Sequence, residues 1–199
     1  MLRFTIDYNL DQAISKVSDK AGAANNILLL PLGGPLTKDM DGFSAGQLSK
    51  AVIATQFKAE RSQFLEIIAP NLSQTRHQFQ AIVLYGTAAK EKDKSNKRTE
   101  GADKSEEQQW LELGGTIQDK ISDFARRLQG DDKSKKINLC WVIDKTDVNA
   151  EQLAALLLGY RLKEWQFHPY LTDAKKKNPS PFAHELVIVE GGMGDQAQL

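Results

Sequence analysis

The sequence has little that would mark a secreted or membrane-spanning protein. Its single cysteine, Cys140, excludes an internal disulfide framework and fits a reducing compartment. The longest wholly apolar runs, such as residues 153–158, fall far short of the roughly 20 residues that cross a bilayer. Residues 1–10 lack the long apolar core of a signal peptide. We therefore predict a cytoplasmic protein with no membrane partner.

The sequence also lacks an excess of charge of either sign. Its 26 Lys and Arg residues balance 26 Asp and Glu residues, so the formal net charge is zero. Affinity for nucleic acid needs clustered basic side chains that contact phosphates. The two basic stretches, 90–98 and 175–177, are short, and acidic residues interrupt the first. The charge pattern therefore argues against a nucleic-acid partner.

Residues that could build a catalytic or metal site are few and widely spaced. His77, His168 and His184 share no ligand spacing with one another or with Cys140. Patterns such as Cys-x-x-Cys and His-Glu-x-x-His are absent. Cys140 lies inside an apolar run, which indicates an inert core residue rather than a nucleophile. We predict no catalytic, cofactor-binding or metal-ligating residue in these 199 residues.

Two further features have a plain structural interpretation. Asp7 and Asp144 are predicted to end strands, where α/β domains often place functional groups, but caps or turns explain them more simply. The glycine-rich stretches 31–36 and 191–194 match no phosphate-loop spacing, and an isolated glycine cluster is weak evidence.

Strand-like and helix-like segments alternate along the chain. Strands are predicted at 3–8, 26–34, 62–70, 79–86, 137–144 and 184–192. Helices are predicted within 11–20, over 44–57, from Ser105 to Gly130 and after Asn149. This order predicts an α/β protein: a three-layer α/β/α sandwich around a mostly parallel mixed sheet of about six strands. The neighbouring strands 62–70 and 79–86 allow one antiparallel pair.

Local signals support the helices and one insertion. Capping-box patterns, with Ser or Asn three residues before Gln, occur at Ser44–Gln47, Ser105–Gln108 and Asn149–Gln152. The longest helix has an apolar stripe formed by Trp110, Leu113, Ile117, Ile121, Phe124 and Leu128. Residues 87–104 contain no large apolar side chain and mix charges densely, which predicts a mobile surface insertion.

The helix after Asn149 is apolar on nearly all sides. Its main stripe comprises Leu153, Leu156, Leu157 and Tyr160, and Ala154, Ala155 and Leu158 extend it around the back. We therefore expect the helix to pack on two sides, with Gly159 permitting a close backbone approach. One side would be the sheet. The other would be a neighbouring element, domain or subunit, or residues 163–182 of the same chain.

Residues 156–177, LLLGYRLKEWQFHPYLTDAKKK, resemble the segment that closes the N-terminal domain of leucyl aminopeptidases, also called cytosol aminopeptidases. In that family a helix ending A-L-L-G-x-Y leads into aromatic-x-Phe-x-x-Tyr-x-Ser/Thr and then lysines. Residues 51–70, 81–92 and 106–121 are similar to earlier family segments in the same order. The stretch YGTAAK at 85–90 departs from the family, because it lacks a second loop glycine.

The resemblance implies a non-catalytic N-terminal α/β domain over residues 1–182. Residues 183–199 would hold its last strand and the start of a linker helix toward a C-terminal catalytic domain that these residues do not contain. In the family that domain binds two divalent metal ions, zinc or manganese, and removes N-terminal amino acids from peptides, usually within a hexamer. This chain would then carry no cofactor itself and would serve homo-oligomer assembly or access to the site. Its predicted buried or interdomain surface comprises Leu153, Leu157, Tyr160, Trp165 and Phe167.

An alternative follows from the same resemblance. The family's N-terminal domain is similar to the macro-domain fold, which in other proteins binds ADP-ribose at the carboxyl ends of its strands. The chain would then be a stand-alone binding module for a nucleotide-type ligand such as ADP-ribose. Loops 31–40 and 85–92 would be the candidate ligand loops, an expectation that rests on fold analogy alone.

Overall fold

Six strands form one mixed sheet in a computed structural model of the chain. The structure describes residues 2–7, 26–36, 40–41, 44, 46–68, 79–89, 104–130, 137–144, 148–164 and 182–189. At 2–7, 144 and 182–189 it describes the backbone alone, so side chains are described for four of the six strands. The strands are β1 (Leu2–Asp7), β2 (Asn26–Leu32), β3 (Phe64–Ile68), β4 (Ala81–Gly86), β5 (Ile137–Asp144) and β6 (Phe182–Val189).

The strand order in the sheet is β1-β6-β5-β2-β4-β3. Every neighbouring pair is parallel except β3 with β4, which is antiparallel. This confirms the predicted α/β class and the mostly parallel sheet. It also confirms the one antiparallel pair, which the prediction placed between residues 62–70 and 79–86.

Three helices accompany these strands in the described parts of the chain: α1 (Gln47–Thr55), α2 (Glu106–Gln129) and α3 (Ala150–Glu164). Successive strand residues point to opposite faces, so two cores form. The face covered by α2 and α3 buries Ile27, Leu29, Val83, Tyr85, Leu139 and Trp141. The face covered by α1 buries Leu28, Leu30, Ile82, Leu84, Cys140 and Val142, together with Leu48 of α1. Helices on both faces confirm the three-layer sandwich.

The two helix starts on the α2–α3 face follow the local signals in the sequence. Ser105 accepts a hydrogen bond from the Gln108 N–H at 3.2 Å, and the Gln108 side chain accepts one from the Ser105 N–H. Asn149 and Gln152 exchange the same two bonds at 2.9 Å before α3. Gly130, with φ +56°, ends α2 as predicted. The predicted stripe of α2 faces the core.

The start of α1 departs from the prediction. Its N-cap is Gly46 in the left-handed conformation, with no side-chain capping bond, so the predicted Ser44–Gln47 capping box is wrong. The Ser44 hydroxyl instead accepts a bond from the Leu48 N–H at 3.0 Å and donates to the Asp41 carbonyl at 3.1 Å. Ser44 thus ties the preceding turn to the first turn of the helix.

Residues after β4 belong partly to the folded body. Thr87 is buried, and its N–H donates to the Leu32 carbonyl at 3.0 Å. A Cβ at Gly86 would lie 2.0 Å from the Glu60 carbonyl oxygen, so glycine is required for this approach. The first residues of the predicted 87–104 insertion are therefore fixed against the sheet. Residues 90–103, and the predicted helix within 11–20, lie outside the described residues.

Helices α2 and α3 cross with their backbones in contact. A Cβ at Gly114 would lie 1.9 Å from the Leu156 carbonyl oxygen, and one at Gly159 would lie 1.9 Å from the Leu111 carbonyl oxygen. Both obstacles are backbone atoms of the other helix, so neither could move without separating the helices. The close approach predicted for Gly159 is therefore made to α2 of the same chain.

We predict that Gly114→Ala destabilises the fold by about 1–3 kcal/mol or more, because the added methyl forces the two helices apart. The matched control is Gly115→Ala, one residue along the same helix. Its Cβ would meet the flexible Lys163 side chain at 3.2 Å and the Gly159 carbonyl oxygen at 3.7 Å, an ordinary contact distance. That variant should be neutral or should gain up to about 1 kcal/mol from helix propensity. Urea unfolding of both variants measures the difference, and equal stabilities would contradict the crossing.

Candidate docking surface on helix α3

The inner side of α3 is committed to the core of its own chain. Ala155, Leu156, Gly159 and Tyr160 are buried in the core between the sheet and the α2–α3 layer. The predicted surface residues Leu153 and Leu157 are partly buried and pack against that same core. The sheet and α2 are therefore the two neighbours that account for the apolar inner side of this helix.

Tyr160 anchors α3 to the sheet through aromatic contacts. Its ring centroid lies 5.1 Å from that of Trp141, and the Trp141 ring meets Tyr85 edge-on at 6.3 Å. The Trp141 indole N–H donates to the Tyr85 hydroxyl at 3.0 Å. Burial, and then the nearby Glu164 carboxylate, raise the pKa of the Tyr160 phenol well above its usual value. Tyr160 is thus a neutral core residue on the inner side of the helix.

The other two residues of the predicted surface, Trp165 and Phe167, follow the end of α3 and lie outside the described residues. Their part in an interdomain surface stays a prediction. The structure thus places three of the five predicted residues together on one helix face, against the core of their own chain.

The outer side of α3 carries an exposed apolar stripe, which we call the α3 stripe: Ala154, Leu158 and Leu162, spaced by one helical turn. The two leucine side chains are 51% and 54% exposed. The two leucines lie one turn apart and so form a small exposed apolar patch on the outer side of the helix. Sequence analysis noted Leu158 on the back of the helix but missed Leu162, whose signal was its i,i+4 spacing from Leu158.

Ion pairs border the α3 stripe. Arg161 donates to Glu164 one turn along the same helix, and Lys163 contacts the Asp119 carboxylate of α2 at 2.9 Å. These exposed pairs contribute little to stability. They hold charged side chains beside the leucines, as a polar rim around a small apolar patch does in a protein–protein interface.

The N-terminal end of α3 is held by a polar network around Arg61, which sequence analysis did not identify. The Gln152 amide donates to Glu106 at 2.8 Å, and the Arg61 guanidinium lies 3.5 Å from the same carboxylate. Arg61 also donates to the Gln109 side chain at 2.6 Å and to the Thr87 carbonyl at 3.1 Å. One side chain therefore connects the end of β4 to the first turn of α2, and through Glu106 to α3.

The guanidinium of Arg61 also covers an aromatic ring. Its central carbon lies 4.6 Å from the ring centroid of buried Trp110, a cation–π distance. Because Trp110 belongs to the core stripe of α2, this contact holds the Arg61 guanidinium against that helix. The network orients α3, and with it the α3 stripe, relative to the sheet.

Residues with catalytic potential do not converge in the described stretches. No group of three or more His, Cys, Asp and Glu side chains that could hold a metal ion occurs there. Asp7 and Asp144 end their strands as predicted, and both are in register with Val189 of the strand between them. Cys140 is buried on β5, as the prediction of a core residue required. His77 and His168 lie outside the described residues.

Across the described ranges, none of the helices combines the length and the apolar character needed to cross a membrane.

Comparison with known proteins gives similarity of fold alone. No protein-family model matches the chain, and no curated protein matches it. Among solved structures, a mutant of tomato leucine aminopeptidase matches with a TM-score of 0.50 at 12% sequence identity. The match covers 98% of this chain and 34% of the aminopeptidase chain. The chain therefore spans about a third of the length of that structure and has a similar fold over nearly all its residues.

We predict that substitutions on the two sides of α3 differ in their effect on the free energy of unfolding. Leu156→Ala removes a fully buried side chain and should lower the free energy of unfolding by about 2–5 kcal/mol. The double variant Leu158→Gln with Leu162→Gln should change it by less than about 0.5 kcal/mol, because both side chains are more than half exposed. Urea unfolding tests both. A large loss in the double variant would mean that the chain itself covers the α3 stripe.

Proposed function

We propose that the chain is the non-catalytic N-terminal domain of a cytoplasmic metallo-exopeptidase similar to leucyl aminopeptidase. The parent enzyme would remove N-terminal amino acids from peptides. The observation that carries this proposal is the structural match, which extends over 98% of the chain but only 34% of the aminopeptidase. The order of the resembling segments in the sequence, from 51–70 to 156–177, supports it independently of the fold.

The two metal ions of such an enzyme would be bound outside these residues. A two-metal hydrolase site needs several carboxylate or imidazole ligands around a shared water. In the stretches that the structure describes, no three His, Cys, Asp or Glu side chains come together. These residues do not fit such a centre, so no step of peptide hydrolysis is assigned to them.

The role proposed for the domain is assembly of the oligomer or control of access to the catalytic site. The α3 stripe supports this role, because it offers exposed leucines beside a rim of ion pairs. The natural occupant of the stripe under this proposal is the catalytic domain of the same polypeptide. Such an intrachain interface needs only a modest apolar contact, since the linker supplies a high effective concentration.

The first test concerns activity and the size of the native product. The purified 199-residue chain should not hydrolyse leucine arylamides with zinc, manganese or magnesium. An antiserum against the chain should detect a native product about three times its 22.1 kDa mass, because the chain spans 34% of the aminopeptidase match. That larger product should carry metal-dependent leucine-arylamide hydrolysis. Turnover by the pure chain that a chelator abolishes would contradict the proposal.

The second test addresses the α3 stripe in the larger product. Leu158→Gln with Leu162→Gln should make the linker between the domains more sensitive to limited proteolysis, because the domain no longer docks. The control is Ile53→Gln on α1, a side chain 75% exposed on the other face of the sheet. It should leave the proteolysis pattern unchanged. Equal sensitivity of the two variants would remove the stripe from the interdomain contact.

A native product of about 22 kDa would favour the alternative instead, a stand-alone module for a nucleotide-type ligand. Its feature in the fold is the exposed turn Gly33–Gly34–Pro35, which follows β2 at the carboxyl edge of the parallel strands. Calorimetry with ADP-ribose distinguishes the two. A flat titration at millimolar ligand would exclude the alternative.

A further inference from the structure

Strand β3 lies at one edge of the sheet and presents backbone groups to the outside. The Gly86 N–H donates to the Gln63 carbonyl at 3.0 Å, which fixes the phase of the antiparallel ladder with β4. Residues alternate along such a ladder between those that bond to the neighbouring strand and those that point away. The N–H and C=O groups of Phe64, Glu66 and Ile68 therefore point away from β4, on the side where the described residues form no further strand.

A groove of about 420 Å³ runs along this edge. Its wall on the α1 side is formed by Gln56 and Phe57, which follow the end of α1, and its wall on the α2 side includes Lys120. Strand β3 contributes its floor. At the end of the strand Ile68 is 61% exposed. A strand added to this edge would lie about 4.8 Å from β3, between the walls at Phe57 and Lys120.

Of the charged side chains that line the groove, Lys120 is the one available to pair with a ligand. Both oxygens of Glu66 are 2.7 Å from the Arg127 guanidinium, so this carboxylate is already neutralised. Within the described ranges no carboxylate pairs with Lys120. Lys120 therefore favours an acidic side chain on the α2 side of a bound strand.

A second copy of the chain fits this edge poorly. If β3 paired with β3 of a second copy about a two-fold axis, the outward-facing residues of the two strands would meet. Glu66 would then lie opposite Glu66, opposite Phe64 or opposite Ile68 of the copy. The first arrangement brings together two carboxylates that Arg127 already pairs, so it adds no new contact between opposite charges. The other two cover the Glu66–Arg127 ion pair with an apolar side chain, which removes water from both charges.

We propose that the β3 edge is a peptide-binding site that accepts an extended acidic peptide by strand addition. Main-chain hydrogen bonds to Phe64, Glu66 and Ile68 would hold the peptide. Its side chains would alternate between the apolar wall at Phe57 and the α2 side, where a carboxylate pairs with Lys120. The site does not depend on the function proposed above, because it needs only β3 and the two walls of the groove.

The test uses the 199-residue chain and a labelled probe peptide of about nine residues, in which valine and threonine alternate and the central threonine is replaced by glutamate. Fluorescence anisotropy should show binding with a dissociation constant below about 100 µM. Two control peptides have the same sequence with one or the other set of alternate amides N-methylated. The form methylated on the set that faces β3 should bind at least about tenfold more weakly, because that edge can no longer donate hydrogen bonds.

Protein variants give the matched comparison. Ile68→Pro removes one outward N–H and should weaken binding at least about tenfold, while proline is tolerated at a sheet edge whose N–H faces solvent. Ile68→Thr retains that N–H and should bind like the parent. Lys120→Glu should weaken binding of the acidic probe and strengthen binding of a probe with lysine in place of glutamate.

Three results would overturn the proposal. One is no binding of the acidic probe up to about 1 mM. Another is equal binding of both N-methylated forms and the unmodified peptide, which would exclude strand addition. The last is a concentration-dependent dimer that Ile68→Pro abolishes while Ile68→Thr does not, which would assign the edge to a second copy. Unchanged thermal unfolding of both Ile68 variants shows that the comparison is made on folded protein.

Discussion

The burial of the central strands on both faces is the constraint on which the rest of the structure depends. All described residues of β2 and β4 are buried, and their side chains alternate between two cores. Such strands are stable only when apolar helices cover each face. On one face α1 supplies that cover. On the other, α2 and α3 share it, and they fit side by side because Gly114 and Gly159 let their backbones touch. The inner side of α3 must therefore pack against both the sheet and α2.

Elements specified by neighbouring residues could be predicted from the sequence. The capping boxes before α2 and α3 involve residues three apart, and the stripe of α2 repeats within each turn. The start of α1 could not be found in this way. Its capping pattern is present in the sequence, but Gly46 adopts a left-handed conformation and Ser44 bonds to the turn at Asp41 instead. The local sequence allows either Ser44 or Gly46 to begin the helix. The hydrogen bond from Ser44 to the preceding turn at Asp41 favours the start at Gly46.

The candidate surface was harder to predict because the run at 153–158 is apolar without a clear period. Periodicity cannot tell which leucines of such a run face inward. The answer depends on α2, since Gly114 sets where the helices cross and so turns Leu156 inward and Leu158 outward. Nothing near α3 in the sequence encodes that pairing. The role of Arg61 escaped for the same reason, because its partners come from the end of β4 and from α2.

The segment between α1 and β3 links the two surfaces described above, the α3 stripe and the β3 edge. Three of its non-glycine residues have positive φ, Gln56 at 53°, Ala59 at 59° and Ser62 at 78°, a conformation that each adopts at some energetic cost. These turns bring β3 back antiparallel to β4, so the strand sits at the edge with its outer groups unpaired in the sheet. The same turns place Arg61 over Trp110, where it connects α2 to the end of β4. Because the Arg61 network also holds α3, the backbone that presents the β3 edge positions the α3 stripe as well.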